Sequence, residues 1–187
     1  FAWSNRLILY YLKNGRTNIA LYEAQKMLKE AQEEDDKTGL SRCYNIMSQI
    51  YTVKRLDSMA FEWQLKEIEL TEKYDLENYN ISQTYSQISS YYINTNQPEK
   101  ALEALKKADA TAYSPTQKIS VQLEYVNYYS KFGDMQAAEK ILNECKTAFD
   151  QDKRLWSIKK RLYNIEYVYY LQSKQYPKAL EAAKKQE

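Results

Sequence analysis

A chain of 187 residues that is 44% apolar and 28% charged can bury a core and is too apolar to remain disordered. Its 27 basic and 25 acidic residues leave a net charge of +2, which argues against a polybasic face for nucleic acid or anionic lipid. Three Gly and three Pro leave little material for the turns of an all-β protein, so the expectation is all-α.

The predicted elements come in pairs of helices. In the first pair, Leu7, Ile8 and Tyr11 share a face and lead through Gly15 to Ala20, Ala24 and Met27. The acidic "EEDD" (Glu33 to Asp36) reads as a solvated helix end. In the second pair, Tyr44, Met47, Ser48 and Tyr51 lead to Ala60, after which Gln64 departs from the small apolar pattern. In the third, Tyr85, Ile88, Ser89 and Tyr92 precede "NTNQP" and then Ala101, Leu105 and Ala108. Asn96 is the expected N-cap there, with Glu99 closing a capping box.

The segment "AYSPTQK" at 112–118 joins the third pair to the fourth. It offers Ser114 as cap, Pro115 at the first helical position and Gln117 as the capping-box partner. The fourth pair carries Tyr125, Val126 and Tyr129, then Gly133, Ala138, Leu142 and Cys145. After "IKKR" (Ile158 to Arg161), another expected solvated end, the fifth carries Tyr163, Tyr167 and Tyr170, then Ala179 and Ala183. The first Ala of each second helix falls at Ala20, Ala60, Ala101, Ala138 and Ala179, with spacings of 40, 41, 37 and 41 residues.

This order of residues resembles the tetratricopeptide repeat (TPR): aromatic, large and small residues, then Tyr, a turn, and Ala recurring on a second helix. The copies are longer than the family's usual period of roughly 34 residues. The resemblance implies an all-α fold, an alpha-alpha superhelix (solenoid) of about five TPR-like helical hairpins with repeats of about 37–41 residues. Repeats are expected at approximately 1–35, 36–76, 77–113, 114–150 and 151–187, forming a single solenoid over 1–187. Because the chain opens on Phe1 and stops at "KKQE", it is expected to be a piece of a longer protein. Tyr on the first helices is expected to fill the space between neighbours, accounting for much of the 19-Tyr total.

Little in the sequence points to catalysis. There is no His, and no Gly-rich phosphate loop or nucleophile elbow occurs. Cys43 and Cys145 make neither a disulfide framework nor a metal box and read as buried thiols. Carboxylates are read as helix-surface groups. No enzyme, metal or cofactor is expected. The longest wholly apolar run, Leu7 to Leu12, is far short of the ~18 residues of a membrane helix, so no membrane insertion is expected.

The TPR resemblance assigns binding to the concave first-helix face. Following the repeat register, Asn5, Asn45, Ser86, Leu123 and Asn164 occupy equivalent turns. One turn on lie Leu9, Gln49, Ser90, Asn127 and Val168; one turn before lie Arg42, Gln83, Ser120 and Arg161. The candidate peptide-binding face is therefore Asn5, Arg42, Asn45, Gln49, Gln83, Ser86, Ser90, Asn127, Arg161 and Asn164, rich in amides and poor in carboxylates. Chaperone-binding members clamp a C-terminal carboxylate with Lys and Asn, but Asn5 and Leu9 stand at those turns, so that clamp is not implied.

The expected function is a non-catalytic protein- or peptide-binding module. Long, Tyr-rich copies resemble the TPR sensor regions of bacterial signal-transduction and transcription-regulatory proteins. The alternative is a scaffold or assembly adaptor, and self-association stays open. The compartment stays open: periplasmic if the chain belongs to an anchored sensor, with cytoplasmic the alternative. Ala101→Trp is expected to lower the melting temperature severely by overpacking, and Asn45→Asp to leave it nearly unchanged. Thermal melts of the two variants compare these faces.

Overall fold

The computed structural model describes residues 2–186, with side chains from Asn5 onward. Contacts divide the described chain after Asn80 into two compact units. Unit 1 holds α1 (Ala2–Lys13), α2 (Thr17–Glu33), α3 (Lys37–Val53) and α4 (Asp57–Tyr74). Unit 2 holds α5 (Ile81–Asn94), α6 (Pro98–Thr111), α7 (Pro115–Phe132), α8 (Met135–Gln151), a 3-10 segment (Lys153–Ile158), α9 (Lys159–Gln172) and α10 (Tyr176–Lys184). Consecutive helices pair as hairpins: α1 with α2, α3 with α4, and so on to α9 with α10. Within the units the first helices of successive hairpins also pack together, α1 on α3, α5 on α7 and α7 on α9.

Alanine permits the close pairing. Ala20, Ala60, Ala101, Ala138 and Ala179 are all buried where second helix meets first. In the third hairpin the approach is near enough for Ser89 Oγ to donate to the Ala101 carbonyl at 3.0 Å and Ser82 Oγ to that of Ala108 at 2.8 Å. Each bond gives a buried hydroxyl a partner across the helix pair. Around these crossings, unit 1 packs Ile8, Met27, Ile46, Met47 and Ile50, and unit 2 packs Leu123, Val126, Leu142, Phe149 and Leu162. Cys43 and Cys145 are buried and free in these two cores; burial pushes their thiols up to about 11 and about 12.

Several details differ from the sequence expectation. Leu7 is exposed, and Ile8 alone carries that turn into the core. In α10 the buried partner of Ala179 is Ala182, not Ala183. Most tyrosines of the first helices are half-buried rather than enclosed, with Tyr85 and Tyr169 buried. Their rings pack on neighbours, as Tyr44 does on Trp63 at 5.5 Å. Gln64 is buried at the helix crossing of its hairpin despite its polar side chain.

The turn inside each hairpin has its own rule. One residue in each adopts a left-handed backbone: Gly15, Arg55, Asn96, Gly133 and Lys174. In four of the five the next residue donates back to a tyrosine carbonyl, Arg16 to Tyr11, Leu56 to Tyr51, Gln97 to Tyr92 and Gln175 to Tyr170. This is the Schellman closure of a helix C-terminus. It corrects the reading of Asn96, which ends α5 at φ 59° instead of capping α6. Gln97 takes the cap position without a side-chain hydrogen bond. Ser114 and Gln117 do form a capping box at α7, with Pro115 in its first turn.

A side chain in left-handed backbone costs about 1–2 kcal/mol, of which glycine gives back part through its larger folding entropy. Exposed Lys174, at φ 59°, is such a position. Lys174→Gly is expected to stabilise the fold by about 0.5–1 kcal/mol. Chemical denaturation of the two proteins, compared at equal m-value, measures it.

Candidate functional site

The first-helix row of unit 1 opens onto a cavity of about 560 Å³, whose walls include Asn5 and Leu9 of α1, Arg42, Asn45 and Gln49 of α3, and Glu67 of α4. Asp36 starts α3 by accepting the Gly39 N–H at 2.9 Å, which fixes the helix on which Ser41, Arg42, Asn45 and Gln49 stand. Glu67 is 1% exposed. Its carboxylate accepts from Asn45 Nδ2 at 3.0 and 3.3 Å and from Asn78 Nδ2 at 2.8 Å. Gln49 Nε2 donates in turn to Asn45 Oδ1 at 2.6 Å, so an amide chain runs from the surface to the buried charge.

The segment after α4 completes this site. Asp75 turns left-handed at φ 49° and ends the helix, and Leu76 N–H donates to the Thr71 carbonyl. Asn78 then uses both ends of its amide: Oδ1 accepts from Asn80 N–H at 2.9 Å while Nδ2 reaches Glu67. Ser41 and Thr71 hydroxyls lie 3.3 Å apart beneath it. Asn5 brings a buried Oδ1 that accepts no hydrogen bond. Arg42 is exposed at the rim.

Unit 2 has its own buried carboxylate. Glu124 of α7, 3% exposed, accepts from Ser90 Oγ of α5 at 2.6 Å, Asn127 Nδ2 at 2.9 Å and Arg161 Nη2 of α9 at 2.9 Å. Three residues of the expected binding face are thereby joined to one another through an acid. Ser86 is buried and donates to the Ser82 carbonyl of its own helix at 3.0 Å, and Leu123 is fully buried. Gln83 and Asn164 are exposed. Gln83, Ser86 and Arg161 line a smaller cavity of about 160 Å³ with Ser120.

A third buried acid, Glu166 of α9, pairs with Lys146 of α8 at 2.9 Å. Burial would lower the Lys146 pKa, but the bond to Glu166 and its charge outweigh that and raise it. Glu67, Glu124 and Glu166 correct the reading of the acids as surface groups and of this face as poor in carboxylate. A signal existed: Glu67 falls in helical phase with Ala60, Gln64 and Thr71, all buried. Asn78 had no such periodicity to mark it.

Among the described residues no group of His, Cys, Asp or Glu is placed to hold a metal ion, and no described helix is long and apolar enough to cross a membrane. The buried acids are surrounded by hydrogen-bond donors, and both thiols are enclosed and held protonated.

The family model described as 26S proteasome subunit RPN7 matches residues 52–183. No curated protein sequence matches significantly. Among solved structures, BtubC (BKLC) from P. vanneervenii superposes with a TM-score of 0.74 at 15% identity, covering 98% of this chain and 76% of that one. The nearly identical TPR-like repeats described as a kinesin light chain of Podosopora anserina superpose with a TM-score of 0.68 at 15% identity, covering 98% and 91%; a variant of the same repeats gives 0.69. At that identity the likeness shows the fold: an all-α chain of consecutive TPR-like hairpins.

The Asn45–Glu67 bond reverses the expectation for Asn45→Asp. The new carboxylate removes a donor and sets a like charge against a buried one. Asn45→Asp is expected to cost about 1–3 kcal/mol at neutral pH. The deficit should shrink as pH falls and one of the paired carboxyls takes up a proton. Melts recorded across the acid range measure both the cost and its sign with pH.

Proposed function

The chain belongs to the family of the 26S proteasome subunit RPN7, and from that premise we propose that it is a protein-interaction module that binds a protein or peptide along its first helices. The observation that carries this reading is the cavity of about 560 Å³ in unit 1, within the range of ligand pockets and walled by Asn5, Arg42, Asn45 and Gln49. Amide side chains carry donors and acceptors together, which suits the alternating N–H and C=O of an extended segment. TPR-like repeat folds are generally non-catalytic, which agrees with this role. In unit 2, Gln83 and Asn164 are the exposed members of the proposed face, while Ser86, Ser90, Asn127 and Arg161 are engaged within the unit.

The proposed setting is the sensing or regulatory part of a bacterial signal-transduction or transcription-regulatory protein, on the resemblance of its long Tyr-rich copies to such regions. A second reading, an adaptor that holds proteins together in an assembly, is favoured by the family's description as a subunit of the 26S proteasome.

Affinity capture from the source cell with the wild-type chain and an Arg42→Glu, Gln49→Arg variant tests the reading. Both side chains reach solvent, so the variant is expected to fold, as circular dichroism would verify. A protein retained by the wild type and reduced about tenfold by the variant supports the first-helix groove. Equal retention moves the contact to other surfaces and puts the adaptor reading first.

A further inference from the structure

One wall of the unit 1 cavity is a run of consecutive residues, 75–80, that belongs to no helix. Elsewhere a second helix passes to the next first helix over 34–36 or 112–114, and a 3-10 segment fills the passage from α8 to α9. The passage from α4 to α5 is the long irregular one, and it lies along the groove. Asp75, Glu77, Tyr79 and Asn80 are exposed, whereas Leu76 and Asn78 are half-buried. Irregular surface backbone is where a fold opens first, because few buried contacts are lost when it lifts.

The segment is fastened from within. At its start Leu76 N–H donates to the Thr71 carbonyl at 3.1 Å, closing α4. Further on, Asn78 Nδ2 donates to Glu67 at 2.8 Å while Asn78 Oδ1 accepts the Asn80 N–H at 2.9 Å. Glu67 is a junction, since the same carboxylate accepts from Asn45 of the groove wall at 3.0 Å. It is 1% exposed, so losing Asn78 leaves a buried charge one donor short until water replaces it. That cost favours the fastened arrangement. Water can take the place of half-buried Asn78, which keeps the release a local event.

We propose that residues 75–80 form a strap along the unit 1 groove, latched by Asn78 on Glu67, and that its release uncovers the Asn45 and Gln49 amides to an entering partner segment. This rests on the groove reading given above and adds how access to that groove is regulated.

Heteronuclear NMR of the whole chain tests the strap with no ligand present. In the wild type, hydrogen exchange of the Leu76 amide should be insensitive to low concentrations of urea, whereas the amides of buried Ile46 and Ile68 should exchange faster as urea is added. Asn78→Ala leaves the Leu76 to Thr71 bond in place and should speed Leu76 exchange about tenfold. In the same variant, a neutral gadolinium chelate should relax the side-chain amides of Asn45 and Gln49 about twofold more strongly, with Asn127 of unit 2 unchanged. Wild-type Leu76 exchange that follows urea as Ile46 does would overturn the strap, and this measurement decides even if the variant fails to fold. Faster Leu76 exchange with no change at Asn45 would mean that the segment loosens without covering the groove, which also overturns it. No change at either position would overturn the latch. The groove reading stands or falls separately, on the capture experiment.

Discussion

Each hairpin depends on how closely its two helices can approach, and alanine sets that distance. With Ala at 20, 60, 101, 138 and 179 buried at the crossings, backbone comes within reach of the partner helix's side chains. The serine-to-carbonyl bonds from α5 to α6 exist only because of this proximity. A larger residue would separate the helices, strand those hydroxyls and displace the first-helix row that carries the groove. The left-handed turn residue completes the constraint by reversing the chain in a few residues and closing the first helix on a tyrosine carbonyl.

Upon this spacing Glu67, Glu124 and Glu166 are buried, each joining different elements. Glu67 ties α3 to α4 and to the segment ending at Asn80; Glu124 ties α5, α7 and α9; Glu166 ties α9 to α8. Desolvating a carboxylate is costly, and the surrounding donors offset that cost only in the native geometry. The first-helix face thus has two kinds of polar residue. Ser90, Asn127 and Arg161 hold the helices in register, whereas Arg42, Gln83 and Asn164 stand at the surface. Asn45 belongs to both kinds, bonding Glu67 on one side and receiving Gln49 on the other.

The first-helix row was legible because helical phase places residues in rows, and the amides of α1 and α3 fall in the row that walls the cavity of unit 1. The buried acids were harder to see. Periodicity marks a position as facing inward but says nothing of whether donors from other helices surround it. An acid in phase with inward-facing neighbours therefore reads, by its chemistry alone, as solvated. Asn78 was not legible at all, since its role comes from the short irregular segment that aims it at Glu67. Asn96 is ambiguous in sequence for a related reason: an Asn before a helix serves as N-cap or as left-handed turn residue depending on where the preceding helix closes.

By itself the sequence determined the all-α class, the helix pairs, their small-residue crossings and the absence of recognisable catalytic motifs. These follow from local periodicity and residue volume, which neighbouring positions along one helix express. Only the tertiary structure decided which polar residues are consumed in holding helices together and which remain to meet a partner. That distinction depends on donors brought from 11 to 37 residues away, Asn78 to Glu67 and Arg161 to Glu124, and on the cavity left between them. Hydrogen-bond satisfaction of a buried charge is a property of the packed hairpins, and no single helix encodes it.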